Sequence, residues 1–188
     1  MVLLSSAVFS LVLGLTHTLT FATSIPVHAW VPEVGDSFYV DTKANMGYLM
    51  HADGVYTDFP VVTGKKAFVH YIGRSYRAET PSKNWVAKSL HFKGDRITFG
   101  AANPKEYKDI DGAFLRLYID GVENSPYGIH PNRNSARMFA ETNRYESMGC
   151  VIVSDAMMRV ILETWRLNGE QLVVVTRHGL ETKQIAGL

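Results

Sequence analysis

This chain predicts a mainly β domain with one substantial helix, and three observations carry the prediction. From Asp36 onward, short apolar runs alternate with turn dipeptides. A single stretch, 155–167, shows helical spacing of its apolar residues. A last apolar run, Gln171 to Thr176 (QLVVVT), reads as a closing strand. Strands in number with a single helix fit a β-sandwich or a β-rich α+β domain.

Taken in order, Phe38-Tyr39-Val40 and Gly47 to Met50 are strand seeds joined by the polar Asp41 to Asn45. Asp53-Gly54 is the turn of a tight hairpin, and Val55 to Thr63 returns from it as a third strand. Further strands are expected at 67–72, 85–92, 96–99 and 114–119, the last closing on a second Asp-Gly pair, Asp120-Gly121. The helix has Ser154 as its N-cap and ends at Asn168-Gly169. Residues 131–146 are expected to form a long loop.

The first thirty residues differ from the rest. Val2 to Leu15 is almost wholly apolar, and no charged residue appears before Glu33. A run of about 14 residues falls short of the roughly 20 a membrane span needs, and it matches the apolar part of a secretory signal. Thr20-Phe21-Ala22 and Val27-His28-Ala29 are candidate cleavage sites, although a basic leader before the run is missing. An uncleaved anchor and a buried N-terminal segment are the alternatives. The expected organisation is therefore residues 1–29 as signal or apolar segment and residues 30–188 as one domain. No membrane span is expected after cleavage, and the protein is expected in the periplasm or cell envelope as a monomer.

At 188 residues, 46% hydrophobic and 20% charged, the chain is able to bury a full core. A net charge of +1 with scattered basic residues argues against nucleic-acid binding. The seven histidines show no i, i+3 or i, i+4 pairing, so no metal site is expected.

Cys150 is the single cysteine, in Ser147-Met148-Gly149-Cys150. It has no partner for an intramolecular disulfide, so it is either a reactive thiolate or an inert buried residue. Acyl chemistry needs a thiolate, a base and donors for an oxyanion. His130, in Tyr127-Gly128-Ile129-His130-Pro131, is the best candidate base, because it ends an apolar strand-like stretch from which a loop returns to the cysteine. Gly149 permits a tight turn that leaves backbone N–H groups near Cys150 accessible.

The spacing of His130, sixteen further residues and Ser147-Met148-Gly149-Cys150 resembles the signature of the L,D-transpeptidase catalytic domain, a His followed by Ser/Thr-His-Gly-Cys. The likeness extends over roughly Gly35 to Val175, including the opening hairpin and Thr80-Pro81 before Trp85-Val86. Met148 stands in place of the second His, Ile152 in place of an Asn or Arg, and Pro131 where a Gly often follows. The chain is thus similar to variant branches with Ser-X-Gly-Cys. The resemblance implies a β-rich transpeptidase fold and cysteine-dependent acyl exchange on peptidoglycan stem peptides, with no cofactor. Cys150 would be the nucleophile, His130 the base, the Cys150 amide with a neighbouring amide the oxyanion hole, and Ser147 and Gly149 part of the site.

Ser147 would either bond within the site or shape the turn, and Met148 would pack. Arg133, Arg137 and Arg144 lie in the loop, and Arg144 is the first choice to bind a substrate carboxylate through its planar fork. The plain alternative is three solvated charges, with Arg133 among them. Tyr127 and Tyr145 would line the cleft or sit at the core edge. Transpeptidation and carboxypeptidase-type hydrolysis differ only in what resolves the thioester. A degraded cell-wall binding module and a secreted effector with the same chemistry are the other readings.

Overall fold

In the computed structural model of the protein, residues 22–71, 73–92 and 112–180 are described. Their order is β1 (Thr23–Ser24), β2 (Ser37–Asp41), β3 (Met46–Met50), β4 (Val55–Pro60), β5 (Thr63–Gly64), β6 (Phe68–Tyr71), β7 (Arg74–Arg77) and β8 (Asn84–Phe92). Then come β9 (Ala113–Ile119), β10 (Glu123–His130), α1 (Ser135–Ala140), β11 (Tyr145–Ser147), β12 (Val151–Ile152), α2 (Asp155–Leu167) and β13 (Leu172–Arg177). The expected strand at 96–99 lies outside the described residues.

Hydrogen bonding joins nine strands into one mixed sheet, in the order β1-β4-β3-β2-β13-β8-β9-β10-β12. Two small ribbons, β5 with β11 and β6 with β7, stand beside it. The two Asp-Gly pairs turn as expected. Gly54 has φ +89° between β3 and β4, and Asp120 and Gly121 have φ +48° and +72° between β9 and β10. Two consecutive positive φ values match the twist of a tight hairpin.

Helix α2 begins where Ser154 Oγ accepts from the Met157 amide at 3.2 Å. It ends in a left-handed Gly169, with the Glu170 N–H returning to the Trp165 carbonyl at 3.0 Å. Its apolar stripe, Met157, Met158, Ile161, Leu162 and Trp165, packs on Phe38, Val40, Leu49, Trp85, Leu115, Leu117, Ile129 and Val174 of the sheet. Each such side chain contributes about 1.5–3 kcal/mol on leaving water, so this layer is the main source of stability. Alternation along β9 and β10 then turns Phe114, Arg116, Gly128 and His130 to the other face.

Two expectations change on folding. The third strand stops at Pro60, and Thr63–Gly64 forms a separate strand parallel to β11. The segment 131–146 is not a plain loop: it holds α1, whose Met138 is buried against Val62 and Ile152. Residues 23–30 are part of the body. β1 pairs with β4, and Trp30 is buried with its ring stacked on His51 at 3.8 Å.

Candidate active site

Strands β10 and β12 run parallel, with Ile129 opposite Val151 and His130 opposite Ile152. One step back along the same register sets Cys150 beside Gly128, and the thiol interacts with the Gly128 backbone amide. Alternation turns Val151 into the core and Cys150 to the face shared with His130, one side-chain row away, about 7 Å along the strand. A separation of twenty positions in sequence thus becomes one face of two neighbouring strands.

His130 Nδ1 donates to the Pro131 carbonyl at 2.8 Å. That bond makes Nε2 the basic nitrogen of the neutral ring. The ring lies against Phe114, with centroids 5.5 Å apart.

The turn before Cys150 is held from several sides. Ser147 Oγ donates to the Cys150 carbonyl at 2.6 Å and accepts from the Gly149 amide at 3.1 Å. Ser147 therefore shapes the turn. Thr80 Oγ1 donates to the Gly149 carbonyl and accepts from the Gly64 amide, both at 2.9 Å. Tyr76 OH donates to the Met148 carbonyl at 3.2 Å. Gly149 has φ +113°, and a Cβ there would lie 2.5 Å from Tyr127 Cε1. Tyr127 is half-buried under the turn, its ring edge-on to Trp85 at 5.8 Å.

Cys150 keeps intermediate exposure, yet burial pushes its thiol up to about 11. The Gly128 amide and the charge of Arg116 pull the other way without overcoming it. The sulfur is therefore a neutral thiol at pH 7. Burial raises Tyr127 and Tyr76 as well, and a negative Cys150 adds to both.

Arg144 is engaged within the protein: Nε donates to the Val61 carbonyl at 3.2 Å and Nη2 to the Asn45 carbonyl at 3.1 Å. It ties the loop to the ends of β4 and β2–β3. Arg137 pairs with Glu146 and Glu141, and Arg133 is exposed at the start of the loop. Ile152 is buried with Val62 and Met138, an apolar cluster in which an Asn or Arg would be left without water. Sequence reasoning missed Thr80 and Arg116 as members of the site. The alternation of β9 was the one available signal for Arg116, since it puts that residue opposite the core residues Leu115 and Leu117.

A cavity of about 360 Å³ lies beside the turn, lined by Thr63, Gly64, Lys66, Thr80 and Tyr145 among others. Neither Cys150 nor His130 lines it. Among the described residues no cluster of His, Cys, Asp and Glu is arranged to hold a metal, and no helix is long and apolar enough to cross a membrane.

Comparison with known proteins agrees with this architecture. The family model of the L,D-transpeptidase catalytic domain matches residues 35–175. No curated protein matches the chain. Among solved structures, an L,D-transpeptidase from Xylanimonas cellulosilytica superimposes with TM-score 0.52 at 19% identity, over 77% of this chain and 61% of that one. A mutant of the Enterococcus faecium L,D-transpeptidase gives TM-score 0.48 at 11% identity, over 78% of this chain and 50% of that one. The chain thus spans between half and two thirds of the length of these structures.

Proposed function

Since the chain belongs to the L,D-transpeptidase catalytic domain family, we propose that it is a cysteine-dependent acyltransferase acting on the peptide stems of peptidoglycan. One observation supports this reading above the others. The β10–β12 register turns His130 and Cys150 to a single face, with His130 Nδ1 already committed to a backbone carbonyl.

In the proposed reaction the Cys150 sulfur attacks the carbonyl preceding the terminal D-residue of a stem tetrapeptide. The thiol proton passes to His130 Nε2, a carbon–sulfur bond forms, and the carbonyl oxygen becomes an oxyanion. The Cys150 N–H is the donor assigned to that oxyanion, because the Gly149 amide is engaged by Ser147. One such donor contributes about 3–4 kcal/mol to the transition state. Collapse breaks the carbon–nitrogen bond, His130 returns the proton to the leaving amine, and a thioester remains. An acceptor amine resolves it as a cross-link, and water resolves it as carboxypeptidase activity; in both cases the incoming nucleophile gives its proton to His130. General acid–base help of this kind accelerates by about 10²–10⁴-fold.

The purified domain, incubated with peptidoglycan tetrapeptides and analysed by mass, is expected to release the terminal D-residue. Cys150→Ala should abolish release, and His130→Ala should slow it by about 10²-fold or more. A carbapenem should add one acyl group, at Cys150. Wild-type protein that forms neither product nor adduct would mean a cell-wall binding module instead.

We also infer export by a cleaved signal. Cleavage after Ala22 leaves β1 and the Trp30–His51 stack intact, whereas cleavage after Ala29 removes β1. The intact mass of the secreted protein distinguishes the two, and a mass that includes residue 1 refutes cleavage.

A further inference from the structure

Arg116 played no part in the sequence reasoning, yet it is a cation with only 6% of its surface exposed. Burying a guanidinium is costly unless its donors are used. Nη1 donates to the Ser125 carbonyl at 2.9 Å and to Asn124 Oδ1 at 3.3 Å, which fixes the charge against β10.

Its place in the sheet gives that charge a purpose. Arg116 stands opposite Gly128 in the β9–β10 ladder, and the β10–β12 register sets Cys150 on the other side of the same glycine. Cation, glycine and thiol therefore share one row on one face, with the outer backbones about 10 Å apart, two strand spacings. The space over Gly128 is filled by Phe114, since a Cβ on residue 128 would come within 2.3 Å of that ring. The Phe114 centroid lies 5.7 Å from Arg116 Cζ and 5.5 Å from the His130 ring. The ring beside the cation and over Gly128 is itself buried, so the field along this row is weakly screened.

We propose that Arg116 is a fixed electrostatic partner of the Cys150 thiolate, stabilising the anion along this row without touching the substrate. The proposal rests on Cys150 being the nucleophile. It acts twice in the cycle, when the thiol gives up its proton and when the thiolate leaves the acyl group. Among the described residues, the other titratable groups around the sulfur are His130 and Tyr127 on β10 and Tyr76 on β7. The two phenols are neutral at working pH, so the guanidinium is the one permanent charge in this set. At about 10 Å in a medium of effective dielectric near 20, such a charge changes the thiolate fraction by about tenfold.

The test measures Cys150 alkylation by iodoacetamide, a neutral reagent that needs no peptide site, as a function of pH. Wild type, Arg116→Met and Arg116→Lys are compared, each shown to be folded by its thermal transition. On the rising limb Arg116→Met should react about tenfold more slowly at every pH, and Arg116→Lys should stay within about threefold of wild type. The kcat of peptide turnover should fall in parallel with the alkylation rate. Alkylation of Arg116→Met at the wild-type rate overturns the proposal, as does a raised KM with unchanged alkylation, which would assign Arg116 to a substrate carboxylate. Arg116→Gln, which keeps an amide donor for the Ser125 carbonyl, gives the same reading should Arg116→Met fail to fold. Failure of the nucleophile assignment looks different: wild-type Cys150 would alkylate yet never carry an acyl group from tetrapeptide or carbapenem.

Discussion

Gly149 shows how narrowly single residues are constrained around the sulfur. Its φ of +113° is open to glycine and strained for any other L-residue, and the Tyr127 ring occupies the space a side chain would need. Gly149→Ala is expected to lower stability by about 2–4 kcal/mol and to reduce turnover further than stability alone explains. Thermal unfolding and turnover, measured on the same preparation, check this. A variant with wild-type melting and wild-type turnover would show that the turn is looser than described. Gly128 answers a different need. It has no positive φ, but its bare Cα admits the Phe114 ring that backs His130.

At the scale of elements, the turn before Cys150 is held by strands that are remote in sequence. Thr80, just before β8, bridges the Gly64 amide of β5 and the Gly149 carbonyl, and β5 itself pairs with β11. Thr80→Val keeps the shape and deletes both bonds, leaving two buried backbone groups unpaired. The expected cost is about 1–3 kcal/mol of stability. Turnover should drop with KM little changed, because the turn positions the sulfur rather than the peptide. A KM effect without a kcat effect would move Thr80 to substrate binding. Arg144 is the counterpart on the loop side. Its bonds to the Val61 and Asn45 carbonyls tie the loop to the sheet, and a solvent-exposed reading of the loop had no means of anticipating them.

Across the whole molecule, the chain is closed by a parallel pairing of β2 with β13 and by one carboxylate. Asp41, at the end of β2, accepts from the amides of Lys43, Ala44, Gly179 and Leu180 at 2.7–3.2 Å. Burial raises its pKa, but these four donors outweigh it and hold the carboxyl below the usual range. A depressed folded-state pKa stabilises above the unfolded value, near 3.9, and that stability is lost as pH falls through the folded value. Asp41→Asn should therefore cost about 2 kcal/mol at pH 7. The gap in melting temperature between wild type and variant should then shrink below about pH 4. A gap unchanged down to pH 2 would show that the charge of Asp41 contributes nothing.

What the sequence determined by itself follows from local physics. The Asp-Gly hairpin turns, the capped helix 155–167 and the alternating strands 38–40, 85–92 and 114–119 depend on backbone preferences and on which face is apolar, and both are written within a few residues. The His130 and Ser147–Cys150 motif, with its family, was equally legible. Tertiary structure alone decided the rest: the parallel β10–β12 register, the helix inside 131–146, Thr80 at the turn, Arg144 as a strut and Arg116 in the thiol's row. Each of these depends on which distant strand becomes a neighbour, a choice made by burial of the whole apolar surface rather than by any local preference.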